Sequence, residues 1–237
     1  MKICIIHGSP RKGNTYHAAE IFKEELQKHG NFEFAEFFLH KDLPHFCCGC
    51  FACIKKSETR CPHAQCTQPI AASIREADGL ILTTPVYSLA ESGQIKAFLD
   101  HFSYQYMNHR PMEEMFSKVA TVISTTAGYG TGYAMKTIAR ALRFWGIKRV
   151  QKCGFILWVI KWAEISPEKQ QKIRKKIHGK AKAFYHLLVK RKQLQPSLFT
   201  RFYFRICKKL MLSFADGQTD KEYWRQKGWL NSKNRPF

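Results

Sequence analysis

Short apolar runs rich in β-branched residues alternate along this chain with segments of helical periodicity, and that alternation restricts the fold more than any other feature. Residues 2–7, 32–38, 80–84, 118–124 and 149–159 read as strands, and 16–30, 68–76, 94–102 and 132–144 as helices. The first strand, Lys-Ile-Cys-Ile-Ile-His, shows no polar alternation, as expected of a strand covered on both faces. Helix 16–30 places Ala19, Phe22 and Leu26 near helical spacing and stops at His29-Gly30. Strands separated by helices require right-handed crossovers and hence a parallel sheet. Five such strands fit a doubly wound sheet of order 2-1-3-4-5, whose ligand lies at the carboxyl ends of the strands. A dinucleotide fold of the G-x-G-x-x-G type fits poorly, because Gly8-Ser9-Pro10 follows the first strand instead.

Charge divides the chain more sharply than hydrophobicity does. Residues 1–145 hold 16 Lys/Arg against 13 Asp/Glu, whereas residues 146–237 hold 23 against 5, so the net charge steps from +3 to +18. The first part has the balance of an ordinary soluble enzyme and the last is a basic appendage. We place the expected boundary at a main domain of residues 1–192 and a basic C-terminal helical extension of residues 193–237. Within the main domain, Ser166-Pro167-Glu168 opens a long basic helix with a favoured N-cap and N1 pair. No apolar run approaches the roughly 20 residues that span a bilayer, and no secretory leader is read, so a cytoplasmic protein is expected. Nine cysteines in a reducing compartment point to metal, redox or buried thiols instead of disulfides.

The loop after the first strand, Gly8-Ser9-Pro10-Arg11-Lys12-Gly13-Asn14-Thr15, has the makings of an anion site. Small residues expose backbone N–H groups. Ser9, Asn14 and Thr15 offer donors, Arg11 a cation, and the following helix its positive end. A plain strand-to-helix turn with Thr as N-cap is the alternative. A Walker A loop is excluded by the missing G-x-x-x-x-G-K-[ST].

The same eight residues resemble the FMN-phosphate loop of the NADPH-dependent FMN reductase family, a branch of the flavodoxin-like flavoproteins. Three more stretches match in order. Ala77–Tyr87 resembles the family's third strand and flavin-edge loop, Gly93–Asp100 the helix after it, and Ser124–Gly132 the Gly-rich loop after strand four. Where the family has Asp-Arg, this chain has Asp100-His101. The resemblance implies a flavodoxin-like three-layer α/β/α sandwich that binds FMN. It assigns Ser9, Arg11, Asn14 and Thr15 to the phosphate. It places Pro85, Val86 and Tyr87 at the ring, with Thr126, Ala127, Gly128 and Tyr129 approaching from the next loop. It further implies NAD(P)H as electron donor, a small acceptor such as a quinone or flavin, and a homodimer. Flavin supplies the chemistry, so no catalytic side chain is nominated. An electron carrier docking with ferredoxin-type partners is the rival reading.

Two features stand apart. Cys47-x-x-Cys50-x-x-Cys53, followed after seven residues by Cys61, resembles the cluster motif of the iron–sulfur flavoproteins and would hold a [4Fe-4S] centre. The alternatives are a tetrahedral zinc site or thiols packed beside the flavin. In the extension, residues 198–214 place Arg201, Arg205, Lys208 and Lys209 on one helical face, and Phe199, Phe202, Tyr203, Ile206 and Leu210 on the other. Such a helix suits an anionic membrane surface, or it packs on its own domain. A nucleic-acid role is not expected, and Trp224 and Trp229 are expected to dock the end of the chain.

Overall fold

The computed structural model describes residues 1–231 and 234–237. Five strands, β1 (Lys2–His7), β2 (Glu33–Phe38), β3 (Gly79–Pro85), β4 (Val119–Thr126) and β5 (Arg149–Ile156), form one sheet of order β2-β1-β3-β4-β5. Every pairing is parallel. This is the flavodoxin-like topology read from the sequence. In chain order the helices are α1 (Asn14–Gln27), α2 (Leu39–Asp42), α3 (Ala52–Lys55), α4 (Ala64–Glu76) and α5 (Gly93–His101). They continue with α6 (Thr131–Phe144), α7 (Pro167–Lys190), α8 (Leu198–Ser213) and α9 (Thr219–Gln226).

The strand pleat sorts the core into two layers. Cys4, Ile6, Leu80, Leu82, Ala120 and Val122 point to one face and are covered by Ile70 and Ile74 of α4, Phe98 of α5, and Ile138 and Leu142 of α6. Ile3, Ile5, Ile81 and Ile123 point to the other, under Ala18 and Phe22 of α1 and Ile177 and Phe184 of α7. Central strands covered on both sides must be apolar throughout, which explains the unbroken run in β1. Helix α7 begins as the sequence implies: the Ser166 Oγ accepts from the Lys169 N–H at 3.4 Å and Pro167 stands at the first helical position.

Most element ends shift by one to four residues from the sequence reading, and two of the differences bear on the site. Strand β5 ends at Ile156, not at 159, because the chain leaves the sheet at Leu157 and Trp158 takes a left-handed φ of 59°. Helix α1 starts at Asn14 with Gly13 as an N-cap that makes no side-chain bond, so Thr15 is not the cap.

The basic extension is not a loose tail. Phe204, Cys207 and Met211 of α8, Trp224 of α9 and Trp229 form a third cluster on Met107 and Phe116 of the main domain. Trp224 and Trp229 are fully buried, and the indole N–H of Trp224 donates to the His109 carbonyl at 2.8 Å. The sequence reading chose the wrong stripe of α8 for this docking. Thr200, Phe204, Cys207 and Met211 face inward, whereas Phe199, Phe202, Ile206 and Leu210 remain exposed. The aromatic pocket made by Phe116, Trp224 and Trp229 accepts Phe204, and that choice fixes the rotation of the helix. No helix among the described residues is long and apolar enough to cross a membrane.

Candidate functional site

Four loops meet at the carboxyl ends of β1, β3, β4 and β5. They enclose a cavity of about 190 Å³ lined by Ser9, Arg11, Gly13, Asn14, Thr15, Pro85, Val86, Tyr87, Thr125, Thr126, Ala127, Val159 and Ile160. Nine of the eleven residues nominated from the sequence lie on this wall. The other two, Gly128 and Tyr129, stand on the same β4–α6 loop outside it, and Tyr129 is 70% exposed. The Thr126 Oγ1 braces that loop by donating to the Tyr129 carbonyl at 3.1 Å and accepting from the Gly128 N–H at 3.2 Å.

The β1–α1 loop is held from within. The Ser9 hydroxyl donates to the Arg11 carbonyl at 2.6 Å and accepts from the Arg11 N–H at 3.2 Å. Thr15 is buried, its hydroxyl 2.6 Å from that of Thr125 on β4. These two hydroxyls are therefore engaged in shaping the loop. The first turn of α1, without a side-chain cap, keeps backbone N–H groups for an anion. Arg11 adds an exposed guanidinium. Gly8 is required by close packing: a Cβ there would lie 2.3 Å from Ile95 Cγ1 and 2.9 Å from the Thr83 carbonyl. The Ser92 hydroxyl, which caps α5, donates to the Gly8 carbonyl at 2.7 Å and joins this loop to the next.

The β3–α5 loop turns tightly. Tyr87 and Ala90 exchange backbone hydrogen bonds of 3.0 and 2.9 Å, and the two residues between them, Ser88 and Leu89, both have positive φ. Such two-residue turns usually carry Asn or Gly, so a Ser-Leu pair stores backbone strain of the kind that gathers at ligand sites. Tyr87, Leu89, Tyr129, Trp158 and Ile160 all expose apolar surface around the cavity mouth. Trp158 meets Tyr129 edge-on with ring centroids 5.6 Å apart.

The sequence reading missed the wall formed by Val159 and Ile160. Their carbonyls accept from the Asn14 amide at 3.4 and 3.0 Å, a contact between residues about 145 positions apart. Asn14 Oδ1 is buried with no partner among the described residues, so a hydroxyl or N–H from a ligand would satisfy it. An orphaned acceptor, an uncapped helix start and an apolar rim together fit a phosphorylated, hydroxylated ligand with a flat aromatic ring.

The cysteine loop lies between α2 and α4. Gly49 and Phe51 both adopt left-handed φ, 66° and 58°, and so turn the loop twice within five residues. Burial raises the Cys53 and Cys61 thiols above the ordinary range, and the neighbouring thiols of Cys47 and Cys50 add to the effect on both. Cys47 and Cys50 therefore lie close enough to Cys53 and Cys61 for their charge to be felt there. No disulfide joins any of the nine. Arg110, buried, donates to the carbonyls of Cys53 and Ile54 and pairs with Asp220 of α9, with Glu58 at 3.5 Å.

Beside Cys61 the fold adds two histidines that sequence spacing did not single out. His63 Nδ1 lies 2.9 Å from His101 Nε2, and with Cys61 Sγ they place three ligand-type atoms within 4.8 Å of one another. His101 Nδ1 donates to the Ala97 carbonyl at 2.8 Å, which in the neutral ring leaves Nε2 as the lone-pair nitrogen.

The NADPH-dependent FMN reductase family matches residues 1–155. An iron-sulfur flavoprotein of Archaeoglobus fulgidus is 28% identical over 240 residues, covering 97% of this chain and 100% of that protein. One of Methanosarcina thermophila is 30% identical over 138 residues, 58% of this chain and 69% of that one. Among solved structures, an NADH:FMN oxidoreductase in its apo form superposes with a TM-score of 0.55 at 20% identity, over 84% of this chain and 93% of that one. An FMN-dependent NADH-azoreductase from Bacillus anthracis, in complex with FMN, gives 0.57 at 15% identity, over 78% and 99%. At those identities the structural likeness shows the fold alone. The family match spans β1 to β4, all but the last residue of β5, and three of the four cavity loops, and the chain belongs to the NADPH-dependent FMN reductase family as an FMN-dependent oxidoreductase.

Proposed function

We propose that the cavity holds FMN with its phosphate at Ser9–Thr15 and its ring against Pro85–Tyr87 and Thr126–Tyr129. Electrons enter from NAD(P)H and leave to a small acceptor. The observation that carries this reading is the convergence of the four loops on one cavity at the carboxyl ends of the strands. Bound FMN supplies hydride acceptance and one- or two-electron release. The protein's part is positional. The start of α1 and Arg11 neutralise the phosphate, and Asn14 fixes the β5–α7 loop across the cavity. Pro85 and Val86 bring main chain close to the ring's edge. Tyr87, Tyr129 and Trp158 form an aromatic mouth suited to a planar donor or acceptor. Replacing Arg11 by Ala is expected to weaken FMN by about 1–3 kcal/mol, the worth of a charge-assisted hydrogen bond. Flavin fluorescence titration of the two proteins checks this. Protein reconstituted with excess FMN that retains none after gel filtration would refute the site.

The cysteine loop supports a second redox centre. Cys47, Cys50, Cys53 and Cys61 would ligate a [4Fe-4S] cluster, in keeping with relatives that carry the name iron-sulfur flavoprotein. Such names fit the carrier reading as well, in which electrons pass on to a ferredoxin-type protein. Rapid bleaching of bound flavin on mixing with NADH or NADPH separates the reductase from the carrier. For the cluster, iron and sulfide are measured on protein purified without oxygen. Stoichiometric iron in the natural protein and its loss in Cys50→Ser are expected, and iron-free anaerobic protein would retire the cluster.

A further inference from the structure

The side of α8 turned away from the domain has no partner among the described residues. Leu198, Phe202, Ile206 and Leu210 recur every fourth residue and are 84, 63, 44 and 40% exposed. Along a helix they form a stripe about 18 Å long. Cations flank it: Arg205 and Lys209 are exposed, and the helix contains no acidic residue. Phe199 links the stripe to a groove of about 640 Å³ between α6 and the start of β5. Phe144 and Ile147 contribute to its apolar lining. Its other walls carry Lys136, Arg140, Arg143, Arg149 and Lys152, none of which pairs with a carboxylate among the described residues, whereas Lys148 is buried with its ammonium on the Arg191 carbonyl.

We propose that this continuous face docks on an anionic lipid bilayer. The stripe would enter the headgroup–acyl boundary while the cations meet lipid phosphates. An exposed apolar stripe and an unpaired cationic groove each call for a different complement, and a bilayer bearing anionic headgroups offers both. Nucleic acid would satisfy the groove but leave the aliphatic Leu198, Ile206 and Leu210 in water. A two-fold contact between copies would cover the stripe but bring like charges together. The face begins at Lys148–Val150, the amino end of β5, whereas the candidate flavin cavity lies beyond its carboxyl end at Val159–Ile160. Docking therefore leaves the cavity mouth open to water. The inference rests on this surface alone and is independent of how the flavin site is read.

The test is sedimentation of the full-length protein with vesicles of neutral phosphatidylcholine, with and without about 30 mol% phosphatidylglycerol. Binding to the anionic vesicles is expected to be at least about tenfold stronger at low salt and to collapse in high salt. Phe202→Glu with Ile206→Glu, and separately Arg143→Glu with Arg149→Glu, should each lower it about tenfold or more. Circular dichroism melting shows that the variants fold. Failure of the natural protein to bind anionic vesicles, or binding that both double variants leave unchanged, overturns the proposal. So does self-association removed by the Phe202/Ile206 change without vesicle binding, which assigns the face to a second copy. Retention on duplex DNA that needs Arg143 and Arg149 but not Phe202 and Ile206, again without vesicle binding, overturns it in favour of nucleic acid.

Discussion

Replacing Asp220 by Ala is expected to lower stability by about 3 kcal/mol, one of the two largest effects foreseen for a single substitution. Asp220 on α9 and Arg110 are both more than nine-tenths buried and form an ion pair. The same carboxylate accepts from His109 at 2.7 Å, and Thr219 beside it donates to the Lys55 carbonyl at 2.8 Å. Through Arg110 the bridge reaches the carbonyls of Cys53 and Ile54, so the end of the chain clamps the cysteine loop. Removing one member of a buried pair strands the other charge, which costs about 3–5 kcal/mol. The lower end applies because Glu58, 3.5 Å from Arg110, remains as a partial partner. For a domain of this size the loss corresponds to a fall in Tm of about 6–12 °C. Limited proteolysis should find the segment between Cys47 and Cys61 cut sooner. The double change Arg110→Met with Asp220→Leu removes both charges and should recover part of the loss. A Tm for Asp220→Ala within about 2 °C of the natural protein would show that the clamp contributes little.

Gly130→Ala should damage both the fold near the cavity and its affinity for FMN. Gly130 adopts a φ of 105°, and a Cβ there would lie 2.8 Å from Val86 Cγ1 and 3.1 Å from the Leu89 Cα. The second contact is backbone and cannot swing aside. The added methyl group must push the Tyr87–Ala90 turn away from the β4–α6 loop. A left-handed conformation imposed on alanine adds about 1 kcal/mol or more by itself. We expect destabilisation of about 1–3 kcal/mol and FMN binding weakened at least about tenfold, since Val86 forms part of the cavity wall. Gly132→Ala is the matched control, because a Cβ there meets nothing within 4 Å among the described residues. Flavin titration and thermal melting of both variants decide the matter. Equal FMN affinity in Gly130→Ala and Gly132→Ala would refute the proposed closeness of these loops to the flavin.

The layered sheet was legible because its determinants are local. Unbroken apolar runs such as Ile3–Ile6, helical spacing in α1 and the Gly8–Thr15 loop each declare themselves within a few residues. Chain continuity and handed crossovers then leave few arrangements of five parallel strands, and the strand ends fix where a ligand must sit. Contacts across long sequence separations carry no such mark. Asn14 bonding to Ile160, Thr15 to Thr125, His63 to His101, and Arg110 to Asp220 depend on how finished elements dock, and no periodicity announces them. Helix α8 shows the limit most plainly. Its sequence holds more apolar residues than one face can bury, and two rotations satisfy the helical pattern. Only the aromatic pocket of Phe116, Trp224 and Trp229 decides that Phe204 and Met211 turn inward. Phe202, Ile206 and Leu210 are left on the surface because side-chain volume and pocket shape, set by residues distant in sequence, choose between faces of similar hydrophobicity.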